Sequence, residues 1–145
     1  MITSVPIRFL KIEHDGFHLL IKTQINGKSA SILIDTGASK TVFDKERLAK
    51  LIKTELIREH DRLSTGLGTT NMQSHQAVIK KFKLGDLVVE NYMSVALDLS
   101  HVNETYARLG YKPIDGVLGS DILKEYKAVI DYEKKILKLK FSKKK

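Results

Sequence analysis

The stretch Ile32-Leu33-Ile34-Asp35-Thr36-Gly37-Ala38-Ser39 joins an aliphatic run to a carboxylate and a glycine. Three aliphatic residues in a row are typical of a buried strand, whereas an aspartate is almost never buried without a partner. Gly37 permits a positive φ and a close approach by another segment. The combination predicts an acid or base held at the end of a buried strand. The alternative is a structural turn that begins at Asp35, with Thr36 and Ser39 capping it.

Length and composition are those of an ordinary globular chain. The 145 residues predict a single domain over 1–145, with a basic tail at 142–145. With 42% apolar and 29% charged residues, the sequence resembles folded rather than disordered proteins. It lacks a run of the ~18 to 20 apolar residues that a membrane span needs. Its first residues do not have the pattern of a signal peptide, so we expect a cytoplasmic protein.

The residue types present limit the available chemistry. There is no cysteine, which excludes disulfides, cysteine nucleophiles and cysteine–metal sites. The histidines have no close metal-ligand spacing, so we predict neither a metal nor another cofactor. They are His14, His18, His60, His75 and His101.

The formal net charge is +8, and much of the excess lies in the last dozen residues. Such a charge permits binding to nucleic acid or to an anionic surface. However, Phe141 is the single aromatic residue among these lysines, whereas a stacking platform would require several. We therefore interpret the run as a solvated strand face and a tail, and we expect neither a nucleic-acid nor a membrane partner.

The hydrophobic pattern predicts a mainly β chain. Residues 17–25 alternate apolar and polar side chains except at Leu20, which predicts a strand covered on both faces. Asp15-Gly16 and Asn26-Gly27 favour type I′ hairpin turns, and Gly85-Asp86 favours a third hairpin. The predicted strands span 7–13, 17–25, 29–34, 76–84, 87–97, 128–131 and 136–141.

Short helices are predicted between these strands. Asp44 is the expected N-cap of a helix through about 53, with Phe43 and Leu48 placed as a hydrophobic staple. A second helix is predicted over 102–109, and Ser120 is the expected N-cap of a third that ends near 126. Residues 66–70 predict a flexible hairpin tip, for which an ordinary linker is the alternative.

Three motifs, in this order, resemble those of the retropepsin-like aspartic proteases. Asp35-Thr36-Gly37-Ala38-Ser39 is similar to their catalytic signature, Gly66-Leu67-Gly68 to their flap, and Val117-Leu118-Gly119 to their second conserved motif. The resemblance covers roughly 19–141. It implies a closed β-barrel with a flap hairpin and two or three short helices. It also implies an aspartic endopeptidase that acts on peptides or proteins.

The resemblance implies that each chain carries half of a catalytic site. Aspartic proteases use two carboxyl groups that share a proton, one serving as base toward water and the other as acid toward the scissile carbonyl. This chain has a single Asp-Thr-Gly, because Asp115-Gly116 lacks the hydroxyl residue between them. A homodimer with an Asp35/Asp35′ pair across its two-fold axis is therefore expected.

Further roles follow from the resemblance. Thr36 would brace the two aspartates across the axis, and Gly37 would leave its carbonyl free for substrate. Leu33 and Val117 would line apolar pockets, and the flap would close over an extended peptide. The substrate-binding residues would be Leu33, Ala38, Ser39, Gly66, Leu67, Gly68 and Val117. For Leu33 and Val117 a plain core role is the alternative, and Leu67 would then be simply exposed.

Two serines depart from the pattern of viral relatives. Many viral enzymes have an aspartate in place of Ser39 and an arginine in place of Ser120, and that ion pair supports their dimer. Without it, the terminal strands either form a sheet between subunits or fold back on their own chain. The alternative function is a retropepsin-fold binding or assembly module without proteolytic activity.

Overall fold

The computed structural model describes residues 1–14, 16–53, 58–59 and 74–142. Ten strands and three helices lie within these ranges. The strands are β1 (Ile2–Ile12), β2 (Gly16–Ile25), β3 (Lys28–Ile34), β4 (Val42–Asp44), β5 (Arg58–Glu59), β6 (His75–Leu84), β7 (Leu87–Leu97), β8 (Gly116–Leu118), β9 (Val129–Asp131) and β10 (Ile136–Lys140). The helices are α1 (Lys45–Ile52), α2 (Ser100–Arg108) and α3 (Ser120–Glu125).

Six of the strands close into a barrel. They pair in the order β2, β3, β8, β4, β7 and β6, and β6 returns to β2 through Gln24–Lys83 and Ile25–Phe82. The inward side chains form the main core, which includes Ile25, Ile32 and Phe82, all without solvent exposure. The predicted mainly β barrel with short helices is confirmed.

The middle of β2 is buried on both faces, as predicted from Leu20. Leu19 and Ile21 point into the main core, whereas Leu20 belongs to a second cluster on the other side of the strand. The buried members of that second cluster are Leu10, Leu20, Leu99, Tyr106, Ile114 and Val117. Because α2 supplies Tyr106 to this cluster, the helix helps to shield Leu20 from solvent on the outer side of the barrel.

Type I′ turns were predicted for two hairpins, and one of these two turns is confirmed. Asn26 and Gly27 have φ values of 50° and 83°, as a type I′ turn between β2 and β3 requires. The prediction of a two-residue turn at Asp15-Gly16 is wrong, because Gly16 already lies in β2 and pairs with Ile12. The chain reverses earlier, where Glu13 and His14 have positive φ.

The helices are close to their predicted positions. Asp44 caps α1 by accepting a hydrogen bond from the Arg47 backbone N (3.1 Å), and Phe43 and Leu48 are both fully buried. The prediction that Ser120 caps α3 is wrong: Ser120 is its first residue, and Gly119 holds the cap position. None of the helices in the described ranges is long and apolar enough to cross a membrane.

The terminal strands fold back on their own chain. The first half of β1 pairs antiparallel with β10, and the second half pairs with β2. β9 pairs with β10, and among the described strands it has no second neighbour. The sheet therefore ends at β9, with one edge of that strand unpaired. The predicted hairpin tip at 66–70 and most of the basic tail lie outside the described residues.

Candidate active site

Two motifs from distant parts of the sequence meet at the ends of β3 and β8. These strands are parallel and in register, with Leu33 opposite Val117 and Ile34 opposite Leu118. Because parallel strands in register end at the same edge of a sheet, the residues that follow them, Asp35 and Gly119, lie side by side. The second aliphatic-glycine motif therefore forms the frame that supports the Asp-Thr-Gly loop.

The loop that carries Asp35 is fixed by main-chain hydrogen bonds on both sides. The Asp35 N donates to the Leu118 O (3.0 Å), and the Ser120 N donates to the Ala38 O (2.7 Å). Within the loop, the Ala38 N donates to the Asp35 O (3.1 Å). The Gly37 N donates to the Asp35 Oδ1 (2.9 Å), so one carboxylate oxygen is oriented by its own loop.

Solvent exposure changes abruptly at Asp35. Ile34 is buried, whereas Asp35, Thr36, Gly37 and Ser39 are exposed and Ala38 is half-buried. Neither the Thr36 nor the Ser39 hydroxyl forms a hydrogen bond with another described residue. The chain therefore turns at Asp35 through the Ala38 N–Asp35 O and Gly37 N–Asp35 Oδ1 bonds, without the caps from Thr36 and Ser39 considered above among the described residues. A carboxylate and a hydroxyl are left facing solvent on a rigid support.

Glycine is required at Gly119 by the packing of two loops. A Cβ at this position would lie 2.7 Å from the Lys40 C and 2.8 Å from the Ala38 O, both of which are backbone atoms. Gly116, at the start of β8, is similarly close to β4, since an added Cβ would lie 2.7 Å from the Val42 O. These glycines let three strands and the Asp35 loop approach at backbone distance.

A buried hydroxyl and a carboxylate connect the two loops from below. Thr41 is fully buried; its Oγ1 accepts from the Gly119 N (2.9 Å) and donates to the Asp121 Oδ1 (2.8 Å). The Thr41 N also donates to Asp121 Oδ1 (3.0 Å). The Tyr92 hydroxyl lies 3.5 Å from Asp121 Oδ2, and burial raises the pKa of Tyr92 above its ordinary value, so it stays protonated.

The sequence pattern alone did not point to this role of Thr41 and Asp121. The available signal was a threonine next to the apolar Val42 and Phe43, six residues after Asp35, together with a carboxylate two residues after Gly119. A buried polar side chain needs a partner, and these two residues provide one for each other.

The other buried carboxylates near the site have structural partners. Asp115 accepts from the Arg47 Nε (2.7 Å) and from the Ser31 N (2.8 Å). Asp44 accepts from the Leu99 N (2.9 Å) in addition to its capping bond. These contacts connect β3, β4, α1 and the segment before α2. In the described part of the chain no three His, Asp or Glu side chains lie close enough together to hold a metal ion.

An apolar surface adjoins the Asp35 loop. Val117 is buried in the second cluster, and Leu33, Ala38, Val42 and Val102 are half-buried against that cluster. α2 thus packs behind the two positions, Leu33 and Val117, that were predicted to line substrate pockets. The predicted flap residues, Gly66 to Gly68, lie outside the described residues.

Comparison with known proteins agrees with this geometry. Residues 21–122 match the family profile described as aspartyl protease. Similar solved structures include a retropepsin-like aspartic protease from Rickettsia conorii, with a TM-score of 0.60 and 20% identity over 96% of this chain and 91% of that chain. Another is the retroviral protease-like domain of Ddi1 from Leishmania major, with a TM-score of 0.58 and 16% identity over 87% of this chain and 94% of that chain.

No curated protein matches the sequence. The structural neighbours are less than 25% identical, so they establish a shared fold, and the family profile covers well over half of the chain. The chain belongs to the aspartyl protease family and has a retropepsin-like fold.

Proposed function

We propose that the protein is an aspartic endopeptidase that acts as a homodimer. The observation that carries the proposal is the exposed Asp35-Thr36-Gly37 at the end of β3, supported from β8, in a member of the aspartyl protease family. Asp115 is engaged by Arg47 and Ser31, so it is a poor candidate for the second catalytic carboxylate. Asp35 of the partner subunit would complete the pair.

The proposed chemistry needs no metal and no covalent intermediate. Two carboxyl groups about 3 Å apart share one proton, because both cannot ionise cheaply at that distance. The ionised carboxylate takes a proton from water, and the water oxygen attacks the scissile carbonyl carbon. The protonated carboxyl gives its proton to the carbonyl oxygen. The tetrahedral intermediate then collapses, the C–N bond breaks, and the amine nitrogen receives a proton.

The remaining predicted residues take supporting roles in this proposal. Thr36 is exposed beside Asp35, so its hydroxyl is free to bond across the two-fold axis. Gly37, Ala38 and Ser39 would form the rim of the cleft, and Leu33 and Val117 its apolar side. Gly66, Leu67 and Gly68 would close over the peptide. These roles are carried by the resemblance. The exposure of Thr36, Gly37 and Ser39 is consistent with them, whereas Val117 is buried in the second cluster.

The unpaired edge of β9 favours a two-fold contact between chains. A sheet edge presents free N–H and C=O groups that pair readily with another strand. Val129 in this strand is 54% exposed, so a partner strand at this edge would cover an apolar side chain. Antiparallel pairing of β9 with its copy would join the two subunits through one continuous sheet, an isologous contact.

The decisive experiment compares wild type, Asp35→Asn and Asp86→Asn in cleavage of an unstructured protein between about pH 4 and pH 7. Asp86 is an exposed aspartate at the β6–β7 turn, so its amide variant changes the charge equally. We expect cleavage by wild type and by Asp86→Asn, and a loss of at least about 10³-fold in Asp35→Asn.

The oligomeric state is measured in the same solutions by sedimentation. Cleavage that survives in Asp35→Asn contradicts the proposal. So does a wild-type protein that is dimeric and inert toward all tested substrates, which would instead indicate a binding or assembly module.

A further inference from the structure

Lysines from several segments meet where the barrel closes between β2 and β6. This lysine face consists of Lys22, Lys28, Lys53, Lys80, Lys81 and Lys83, all exposed. We propose that the lysine face binds the phosphate backbone of duplex nucleic acid without reading its sequence. The proposal is independent of the peptidase activity, because it uses none of the residues around Asp35. It replaces the expectation of no nucleic-acid partner, which was argued from the C-terminal lysines alone, with a different set of lysines that the fold brings together.

The face contains two depressions. The larger, of about 520 Å³, is lined by Lys28, Lys53, Lys80 and Lys81 together with Asn26, Leu51 and Ile52. The smaller, of about 290 Å³, is lined by Lys22 and Lys83 together with Thr23, Gln24, Ser29 and Gly85. Among the described lining residues neither depression has a carboxylate. Each therefore presents ammonium groups over a neutral floor.

Backbone pairing holds the lysines in place. The Lys81 N donates to the Asn26 Oδ1 (3.0 Å), and the Asn26 N donates to the Lys81 O (2.9 Å). Lys83 lies opposite Gln24 in the β2–β6 pairing. Side chains two residues apart on a strand share a face and are about 6.8 Å apart, so Lys81 and Lys83 project together. The charge array is thus a fixed property of the barrel.

Nearby acidic groups only partly offset this charge. Glu90 lies opposite Lys81 in the β6–β7 pairing, and Asp86 follows Gly85 in the turn. Lys22 donates to the Ser31 hydroxyl (2.9 Å), a neutral partner. Six lysines against two described carboxylates leave a clear local excess of positive charge.

The composition of the face selects the partner. All six cations are lysines, which bind phosphates as point charges, whereas carboxylate recognition favours the forked geometry of arginine. The described residues that line the two depressions include no aromatic side chain on which unpaired bases could stack, which argues against single strands. Among the described lining residues of the two depressions, no large apolar side chain is exposed that could insert into a bilayer. The phosphate rows of a duplex fit best.

The test is fluorescence anisotropy with a labelled duplex of about 20 base pairs and random sequence, at about 50 mM and 200 mM salt. The variant is Lys28→Glu/Lys81→Glu/Lys83→Glu. The control is Lys124→Glu/Lys134→Glu/Lys140→Glu, which changes the net charge equally at exposed lysines elsewhere. Circular dichroism checks that both fold, and the corresponding glutamine triples replace them if either does not.

We expect wild type to bind with strong salt dependence. The lysine-face variant should bind at least about 10-fold more weakly, with a salt slope smaller by roughly 2 to 3, since each phosphate contact contributes about 0.9. The control should lose at most about 3-fold. Equal losses in both triples would show that only the net charge matters and would overturn the proposal. It would also be overturned by tighter binding to single strands, or to vesicles with about 30% anionic lipid, than to the duplex.

Discussion

At the scale of the residue, Thr41 shows how a site depends on a side chain that does not take part in the chemistry. Its hydroxyl lies beneath Gly119 and bonds both to that backbone and to Asp121. Ser120, the next residue, holds the Asp35 loop through the Ala38 O. The buried Thr41 and the half-buried Asp121 therefore help to hold the Asp35 loop in place, and we call them the positioning pair.

Replacing Thr41 with valine tests this pair, since the volume is kept and the hydroxyl is lost. The Gly119 N would be buried without an acceptor, so we expect unfolding to become easier by about 1–3 kcal/mol in urea titrations. Because the Asp35 loop would be held less firmly, we expect the factor by which kcat falls to be larger than the factor by which KM changes. Thr105→Val on the exposed side of α2 is the matched control and should leave both the stability and kcat unchanged. An unaltered kcat with reduced stability would assign Thr41 a purely structural role.

At the scale of the element, α2 is the helix that covers the outer face of β2. Tyr106 is almost completely buried in the second cluster, and its hydroxyl lies 2.8 Å from the His18 Nδ1. Asn103 joins α2 to the segment before β8, accepting from the Ile114 N (2.8 Å) and donating to the Ile114 O (3.2 Å). The helix is thereby fixed beside Leu33 and Val117.

The titration of Tyr106 gives α2 a measurable pH dependence. Burial raises the pKa of Tyr106 from 10.0 to about 12. The folded chain holds the phenolic proton more tightly than the unfolded chain. Its contribution to stability is therefore complete below about pH 10 and is lost as the pH rises toward 12.

We expect the difference in unfolding free energy between wild type and Tyr106→Phe to shrink over that interval. Urea titrations from pH 8 to 11 measure it, and lysine titration affects both proteins alike. Tyr132→Phe is the control, because Tyr132 is 63% exposed and its replacement should parallel wild type at every pH. A difference that stays constant up to pH 11 would mean that Tyr106 titrates normally.

At the scale of the whole molecule, the proposed dimer would join its two chains through the edge of β9 that has no neighbour among the described strands. Val129→Lys would place like charges near each other across the two-fold axis. We expect dimerisation at least about 10-fold weaker by sedimentation, and peptidase activity that recovers as protein concentration is raised. Stability of the folded chain should change by less than about 0.5 kcal/mol, since the position is exposed.

The control for this experiment is Val88→Lys in β7, where the valine is 40% exposed. It makes the same substitution away from β9 and should dimerise like wild type. Unchanged dimerisation in Val129→Lys would show that subunits meet through another surface.

Much of the fold could be predicted because its signals are local. The double burial of β2 was visible in Leu20, the β2–β3 turn in Asn26-Gly27, and the start of α1 in Asp44. The three-residue strands β4 and β8 were not predicted, because three residues are too few to show the alternation of apolar and polar side chains that marks a strand. The turn between β1 and β2 was misplaced, because the pairing of Ile12 with Gly16 depends on the register of the long strands.

The sequence was sufficient for the exposed Asp-Thr-Gly loop, because an aliphatic run that ends in a carboxylate and a glycine has few physical solutions. The tertiary structure alone revealed what supports that loop and what lies far from it. Thr41 and Asp121 are 80 residues apart, and the lysine face draws on segments from Lys22 to Lys83. Such contacts depend on the parallel register of β3 with β8 and on the closure of β2 against β6, which no local pattern encodes.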